Sequence, residues 1–324
     1  MDTQKAFFET VKKNLSSGMR MVSEVSDALN ISSDSAYRRI RGEKELTVNE
    51  LSKLCRHFNI SMDEVINYRS GNILFRYTPL DMSSMDNYYA YLQELAALME
   101  SIAKAGEKEM CFMAVDIPGP HFKLFPELTL FKIYTWFQGV NKLHVTYDRF
   151  VEQLDIPLIT DIYNRIGNAY SRIPSTEIWT NNTIDHILHL LDYYPDLNCF
   201  EHTDTFSLLC SQLLQLIENM EKLAEKEKKE YKGKEVFYRM YLSPLEIMND
   251  FMIIKKDGAS VTAVKLYTIN GIFTSNEYFC SEVEKWMKNS IAKSVSLSGN
   301  SARERFQFFQ NLKNKVNGLM ATKE

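Results

Sequence analysis

The segment VSEVSDALNISSDSAYRRIRGEK, residues 22–44, constrains this chain more than any other. Val22, Val25, Ala28 and Leu29 recur at helical spacing and so bury one face of a short helix. Asn30 follows where the chain must reverse, and asparagine is among the few residues with a side chain that tolerate a left-handed backbone. Ile31 then plugs the core, and Ser32 is placed to cap a second helix by accepting a backbone N–H bond. That second helix, residues 33–41, buries Ala36 and Ile40 and turns Ser33, Asp34, Ser35, Tyr37, Arg38 and Arg41 outward. A helix so short and so polar contributes little to a core. Its shape suits the major groove of double-stranded DNA, which admits one helix and displays hydrogen-bonding base edges.

The flanking sequence fits the same reading. Gly42 closes the second helix as a glycine cap, with Lys44 just beyond it. Thr47-Val-Asn-Glu50 is a capping box that opens a helix burying Leu51, Leu54, Cys55 and Phe58. Ser61-Met-Asp-Glu64 is a second box, and residues 4–15 form an earlier helix with Phe7, Phe8 and Val11 inward. Five short helices thus make a small all-α domain over residues 1–70.

This region resembles the lambda-repressor and Cro-like (XRE-type) helix-turn-helix transcriptional regulators. The resemblance rests on Val25 to Leu29, the turn Asn30-Ile31-Ser32, Gly42, and LSKLCRHFNISMDEVI at 51–66. Val22 stands where the family often has a phosphate-binding glutamine, and Asn30 where it usually has glycine. SAYRRIRGEK is also similar to long regulators of this type whose C-terminal region is poorly characterised. The resemblance implies base contacts from Ser33, Asp34, Tyr37 and Arg38. It also implies a sequence-specific transcriptional regulator; for the C-terminal part the expectation is oligomerisation or effector sensing.

Charge is balanced rather than basic. Residues 1–72 carry 11 Lys plus Arg against 10 Asp plus Glu, so any attraction for phosphate must come from the local cluster Arg38, Arg39, Arg41 and Lys44. The whole chain, at net −4, is not one that coats nucleic acid or membranes along its length. No long uncharged apolar run occurs, residues 1–13 read as an amphipathic helix rather than a leader, and the five cysteines stand singly. These features fit a cytoplasmic protein with no membrane partner.

From residue 73 onward the chain reads as mainly helical, with a small β element near the C-terminus, and so the fold class expected is mainly α. Helices are expected at 84–104, 126–139, 146–154, 158–171, 181–192 and 204–230, with a short strand at 110–115. In the helix at 204–230, Phe206, Cys210, Leu213, Ile217, Met220 and Ala224 follow heptad spacing, the pattern of a dimer-forming coiled coil. Leu209, Leu214, Leu216 and Leu223 widen the apolar arc beyond a two-stranded seam and favour a helix packed within its own chain. The tail EKLAEKEKKEYKGKE reads as its solvated continuation.

Two β-rich runs around Asp257-Gly258 at 251–269 form a hairpin, with 236–241 as a third strand. Helices at 276–291 and from Ser301 close the chain. This pattern divides it into a helix-turn-helix domain at 1–70, a helical and dimerising domain at 73–232, and an α+β sensory module at 233–324.

Chemical constellations are sparse. There is no Walker-type, dinucleotide, GxSxG or HExxH motif, so an enzyme is not expected. His186 and His189 with His202 and Asp204 lack tight ligand spacing and read as polar surface; no metal or cofactor is expected. Ser294, Ser296, Ser298 and Ser301 beside Arg303 and Arg305 offer an anion site, but a loop and helix cap explain them equally. Phe122, Phe125, Phe131, Tyr134, Trp136 and Phe137 read as core before they read as a ligand pocket. The partners expected are double-stranded DNA, a second copy of the chain, and a small-molecule or protein effector. The alternative is a protein-interaction adaptor that uses the helix-turn-helix as a docking surface.

Overall fold

The computed structural model describes residues 3–15, 20–60, 62, 65, 73–141 and 145–323. They belong to two compact units, Met1–Leu74 and Phe75–Glu324.

The small unit contains α1 (Thr3–Asn14), α2 (Met21–Leu29), α3 (Ser33–Ile40) and α4 (Val48–Phe58). Phe7, Phe8 and Val11 of α1 meet Val25, Leu29, Ala36 and Leu54 in one core, as the helical spacing predicts. Most of the capping box expected at 61–64, and the boundary expected at 68–72, lie outside the described residues. Val65, which is described, is buried in the same core.

The larger unit corrects the expected fold class. It is built on a nine-stranded mixed sheet, not on helices with a small β element near the C-terminus. The strands are β1 (Arg76–Tyr77), β2 (Lys108–Met113), β3 (Ser175–Trp179), β4 (Lys228–Tyr231), β5 (Lys234–Leu242), β6 (Phe251–Lys256), β7 (Ala259–Lys265), β8 (Gly271–Thr274) and β9 (Val295–Ser296). Their order is β1-β8-β7-β6-β2-β3-β5-β4, with β9 pairing β5. Strand β2 runs parallel to β3 and β3 parallel to β5, while β6 pairs antiparallel with β2. The cut expected at 232/233 therefore falls inside one sheet, whose central strands come from both sides of it. The hairpin at Asp257-Gly258 forms as expected, both residues at positive φ of 46° and 81°.

The helices of this unit are α5 (Met85–Lys104), α6 (Pro126–Val140), α7 (Tyr147–Val151), α8 (Ile156–Tyr170), α9 (Asp185–Asp196), α10 (Thr205–Lys226), α11 (Glu277–Lys293) and α12 (Ala302–Lys323), with a 3-10 turn at Gly119–Leu124. Side chains alternate across the sheet as the pleat requires. Met110, Phe112, Trp179 and Ile254 enter the large core shared with most helices, whereas Met113, Ile178 and Ile253 enter a smaller one with Val283 and Met287 of α11.

Two expectations about α10 are settled by this packing. Cys210, Leu213, Ile217, Met220 and Ala224 are all buried in the chain's own core, so the heptad seam is spent within one unit and not on a coiled coil. The helix also stops sooner than its charged tail suggested. Glu227 takes a left-handed backbone (φ 54°), and Lys228–Tyr231 turns back through Lys232-Gly233 to pair with β5. Most of the aromatic cluster is core: Phe122, Phe125, Phe131, Tyr134 and Phe137 are buried, whereas Trp136 is half-buried and, with Phe122, lines a cavity.

The middle of β3 carries a wholly buried carboxylate, Glu177. One oxygen takes the His121 Nε2 contact at 2.7 Å and the Tyr170 hydroxyl at 2.5 Å; the other accepts from Trp179 Nε1 at 2.9 Å and the Tyr238 hydroxyl at 3.0 Å. Burial alone would raise its pKa, but His121 and the hydroxyl and indole donors outweigh burial and hold it below the ordinary value. Beside it Lys229 is buried against the Tyr170 ring and donates to Ser175 Oγ at 2.7 Å; burial pushes its pKa well down. This network ties the 3-10 turn, α8, β4 and β5 to the central strand.

Candidate nucleic-acid interface

The turn between α2 and α3 forms as its residues dictate. Asn30 is left-handed (φ 53°, ψ 55°), and the Asn30 and Ile31 amides return to Asp27 and Ser26. Ser32 Oγ caps α3 by accepting from the Ser35 amide at 3.3 Å. At the other end Gly42 adopts φ 77°, a conformation a side chain would strain. The Gly42 amide donates to Arg39 and the Glu43 amide to Arg38, closing the helix with a Schellman pair.

The two faces of α3 do different work. Ser33, Asp34, Tyr37 and Arg38 are exposed, and so are Arg41 and Lys44 in the turn that follows. Ser35 is only half-exposed and is engaged in the cap, where its hydroxyl accepts from Ser32 at 3.1 Å. On the inner face Ala36 is buried and Ile40 half-buried.

Arg39 departs from the expectation that it joins a basic cluster for phosphates. Its side chain is turned inward, 6% exposed, and its guanidinium donates to Glu50 at 2.6 Å and to the Ser35 carbonyl at 3.1 Å. Glu50 is also the capping-box residue of α4, accepting from the Thr47 amide at 3.1 Å while Thr47 accepts from the Glu50 amide at 3.2 Å. One carboxylate therefore fixes the start of α4 and locks the register of α3.

Gln4 of α1 is a positioning residue that the sequence did not single out. Its amide nitrogen donates to the carbonyls of Arg39 at 2.7 Å and Lys44 at 2.8 Å, and its oxygen accepts from the Leu46 amide at 2.9 Å. It staples the loop that presents Arg41 and Lys44.

Outward, the Arg41 guanidinium lies 4.4 Å from the centre of the Tyr37 ring and donates to its hydroxyl at 3.2 Å. That bond, more than any other contact, raises the pKa of Arg41, which stays charged. Glu43 stands between two cations, 3.6 Å from Arg41 and 4.0 Å from Arg38. Such exposed pairs hold weakly, so a phosphate or a guanine edge can take Glu43's place.

The weaker candidates in the larger unit are occupied structurally. Ser298 Oγ accepts from the Met240 amide at 2.8 Å, and Arg305 donates to the carbonyls of Leu297 and Gly299 at 3.2 and 2.7 Å. His189 stacks on Tyr193, and His202 lies 3.7 Å from Asp148. Among the described residues no group of three His, Cys, Asp or Glu is placed to hold a metal. Among them, too, no helix is long and apolar enough to cross a membrane.

Residues 16–70 match the family described as the Cro/C1-type HTH DNA-binding domain. The match spans the turn, α3, Gly42 and α4, so the small unit carries a helix-turn-helix domain of the DNA-binding kind. No curated protein and no solved structure matches the chain.

Proposed function

We propose that the chain is a sequence-specific transcriptional regulator that lays α3 in the major groove. The observation that carries this reading is the division of α3 into two faces. Arg39, Ala36 and Gln4's clamp fix the helix from within, leaving Ser33, Asp34, Tyr37 and Arg38 outward with Arg41 and Lys44 at their end. A helix held this rigidly and this polar on one side meets the requirements for reading base edges. In this reading Arg38 contacts a base, Arg41 and Lys44 hold phosphates, and the chain acts by binding rather than by catalysis. The larger unit serves as the sensing or pairing module. A single domain covers about half of a typical site, so a second copy would supply the other half. Its contact surface would have to lie elsewhere than the α10 heptads.

The test is selection from a random DNA library with the full chain, run beside a variant in which Tyr37, Arg38 and Arg41 are all alanine. An enriched motif that the variant loses supports the reading, and a palindrome adds the second copy. No enrichment from folded protein would favour the adaptor reading.

A further inference from the structure

Between α5 and the sheet lies a cavity of about 220 Å³, walled by Leu95 and Met99 of α5 and by Phe112, Met252, Ala263 and Phe273 of the sheet. Its one charged region is a cluster of four side chains, Asp116, Lys132, Asp250 and Lys265. Lys132 is buried and pairs with Asp116; Lys265 reaches Asp116 at 3.3 Å and Asp250 at 3.1 Å.

The bonding capacity left over is uneven. Asp116 also accepts from the Ile117 amide at 2.8 Å, and Asp250 from the Val115 and Asp116 amides at 2.6 and 3.2 Å. Each carboxylate thus already takes three of the about four bonds it can accept. An ammonium has three N–H donors. Among the described residues Lys132 bonds only to Asp116, and its head otherwise faces the Phe122 and Trp136 rings at 5.3 and 5.8 Å. Open donors therefore remain on a cation that is almost wholly out of water.

A second residue of the cavity lining also carries an unpartnered polar atom. Asn270 is wholly buried, and its Oδ1 has no hydrogen-bond partner among the described residues. Its amide nitrogen is turned to the Tyr77 hydroxyl at 3.4 Å. A buried acceptor without a donor is costly, and a ligand donor removes that cost.

The charge of the site sets the charge of the ligand. Two lysines balance two aspartates, so a buried carboxylate would add an uncompensated negative charge, and an ammonium would meet the open N–H groups head-on. His186 lines the adjoining pocket that shares Asp116 and Lys265, and burial lowers its pKa, favouring the uncharged ring.

We infer that this cavity binds an uncharged amphipathic small molecule, with its apolar body between α5 and the sheet, a carbonyl-type acceptor on Lys132, and an N–H or O–H donor to Asn270. This deepens the sensing role proposed above. The test uses no DNA, so its failure and the failure of DNA reading are separate results.

The experiment titrates the full chain with octanamide, octanoate and octylammonium at neutral pH. Calorimetry is combined with emission from Trp136, which lines the cavity. Octanamide should bind one to one, at least tenfold tighter than either ion, and change the emission. Ala263→Leu and, from the opposite wall, Leu95→Trp should each weaken it tenfold or more; whichever variant folds by circular dichroism suffices. Tighter binding of either ion, equal binding by a folded cavity-filling variant, or no octanamide binding up to its solubility limit would each overturn the proposal.

Discussion

Arg39 of α3 reaches Glu50 of α4 at 2.6 Å, and the same Glu50 closes the capping box with Thr47. An arginine in the middle of the second helix of the helix-turn-helix thus serves the fold. Replacing Arg39 with alanine leaves a half-buried carboxylate without its partner and should destabilise the small unit by about 2–3 kcal/mol. The three tryptophans, Trp136, Trp179 and Trp286, all lie in the larger unit. Urea unfolding followed by circular dichroism should therefore show an early loss of helix in Arg39→Ala while the tryptophan transition stays in place. Coincident shifts in both signals would show that Arg39 supports more than its own unit.

The same pair makes the small unit acid-sensitive. The hydrogen bond from Arg39 holds the Glu50 pKa below the ordinary carboxylate value. A depressed folded pKa means that the stabilisation is complete above the unfolded value of about 4.3 and is lost as pH falls through the folded one. The loss of small-unit stability on acidification should accordingly be shallower in Glu50→Gln than in the parent. Equal acid sensitivity in the two would remove Glu50 from the account.

Glu43 lies between Arg38 and Arg41, within 4.0 Å of both. If the outer face of α3 reads DNA as proposed, Glu43 competes with the phosphates and bases for the same cations. Glu43→Gln should therefore tighten DNA binding about threefold at low salt, the scale of one exposed ion pair. Arg38→Ala should instead cost about 1–3 kcal/mol and relax base preference at one position. Weaker binding by Glu43→Gln would show that the carboxylate orders the arginines more than it masks them.

Glu177 tests the larger unit. Leucine in its place leaves the Tyr238 and Trp179 donors and His121 unpaired in the core, with Tyr170 keeping only Ser175, and should cost roughly 3–5 kcal/mol. Trp179 touches the site, so its emission should shift along with the unfolding midpoint. Glu177→Gln, which keeps the shape and part of the acceptor capacity, should lose less. If leucine were neutral, the network would not be what ties β3 to its neighbours.

What the sequence disclosed and what it hid follow from how each signal arises. Asn30, Ser32, Gly42 and Thr47 act through local backbone geometry, which the residue type nearly determines, and the turn and caps formed where they were read. The inward turn of Arg39 depends on Glu50, eleven residues away, and local charge counting placed it with the phosphate-facing cations. The strands expected at 110–115, at 236–241 and around Asp257-Gly258 formed, but the extent of the sheet was hidden for a related reason. Strand β3 is buried on both faces and holds Glu177 at its centre, so it shows neither alternation nor an apolar run. Strand β4, KKEY, looks like a solvated helix end until Lys229 is seen packed on Tyr170. Tertiary partners, not local propensity, decide such segments.

Salt dependence separates DNA reading from an adaptor role most directly. Each phosphate neutralised releases counterions, and log affinity falls against log salt with a slope of about −0.9 per contact on duplex DNA. Arg38, Arg41 and Lys44 are the cations exposed on or beside the outer face of α3. If Arg38 is spent on a base, Arg41 and Lys44 give a slope of about −2 for one domain and about −4 for a pair on two half-sites. Lys44 makes no side-chain ion pair among the described residues, so Lys44→Ala should reduce the slope by about 1 per copy without altering the preferred sequence. Arg41→Ala should lower the slope equally and also free Tyr37 from its stacked cation. An affinity independent of salt, with a protein bound in place of DNA, would assign the same polar face to docking another chain.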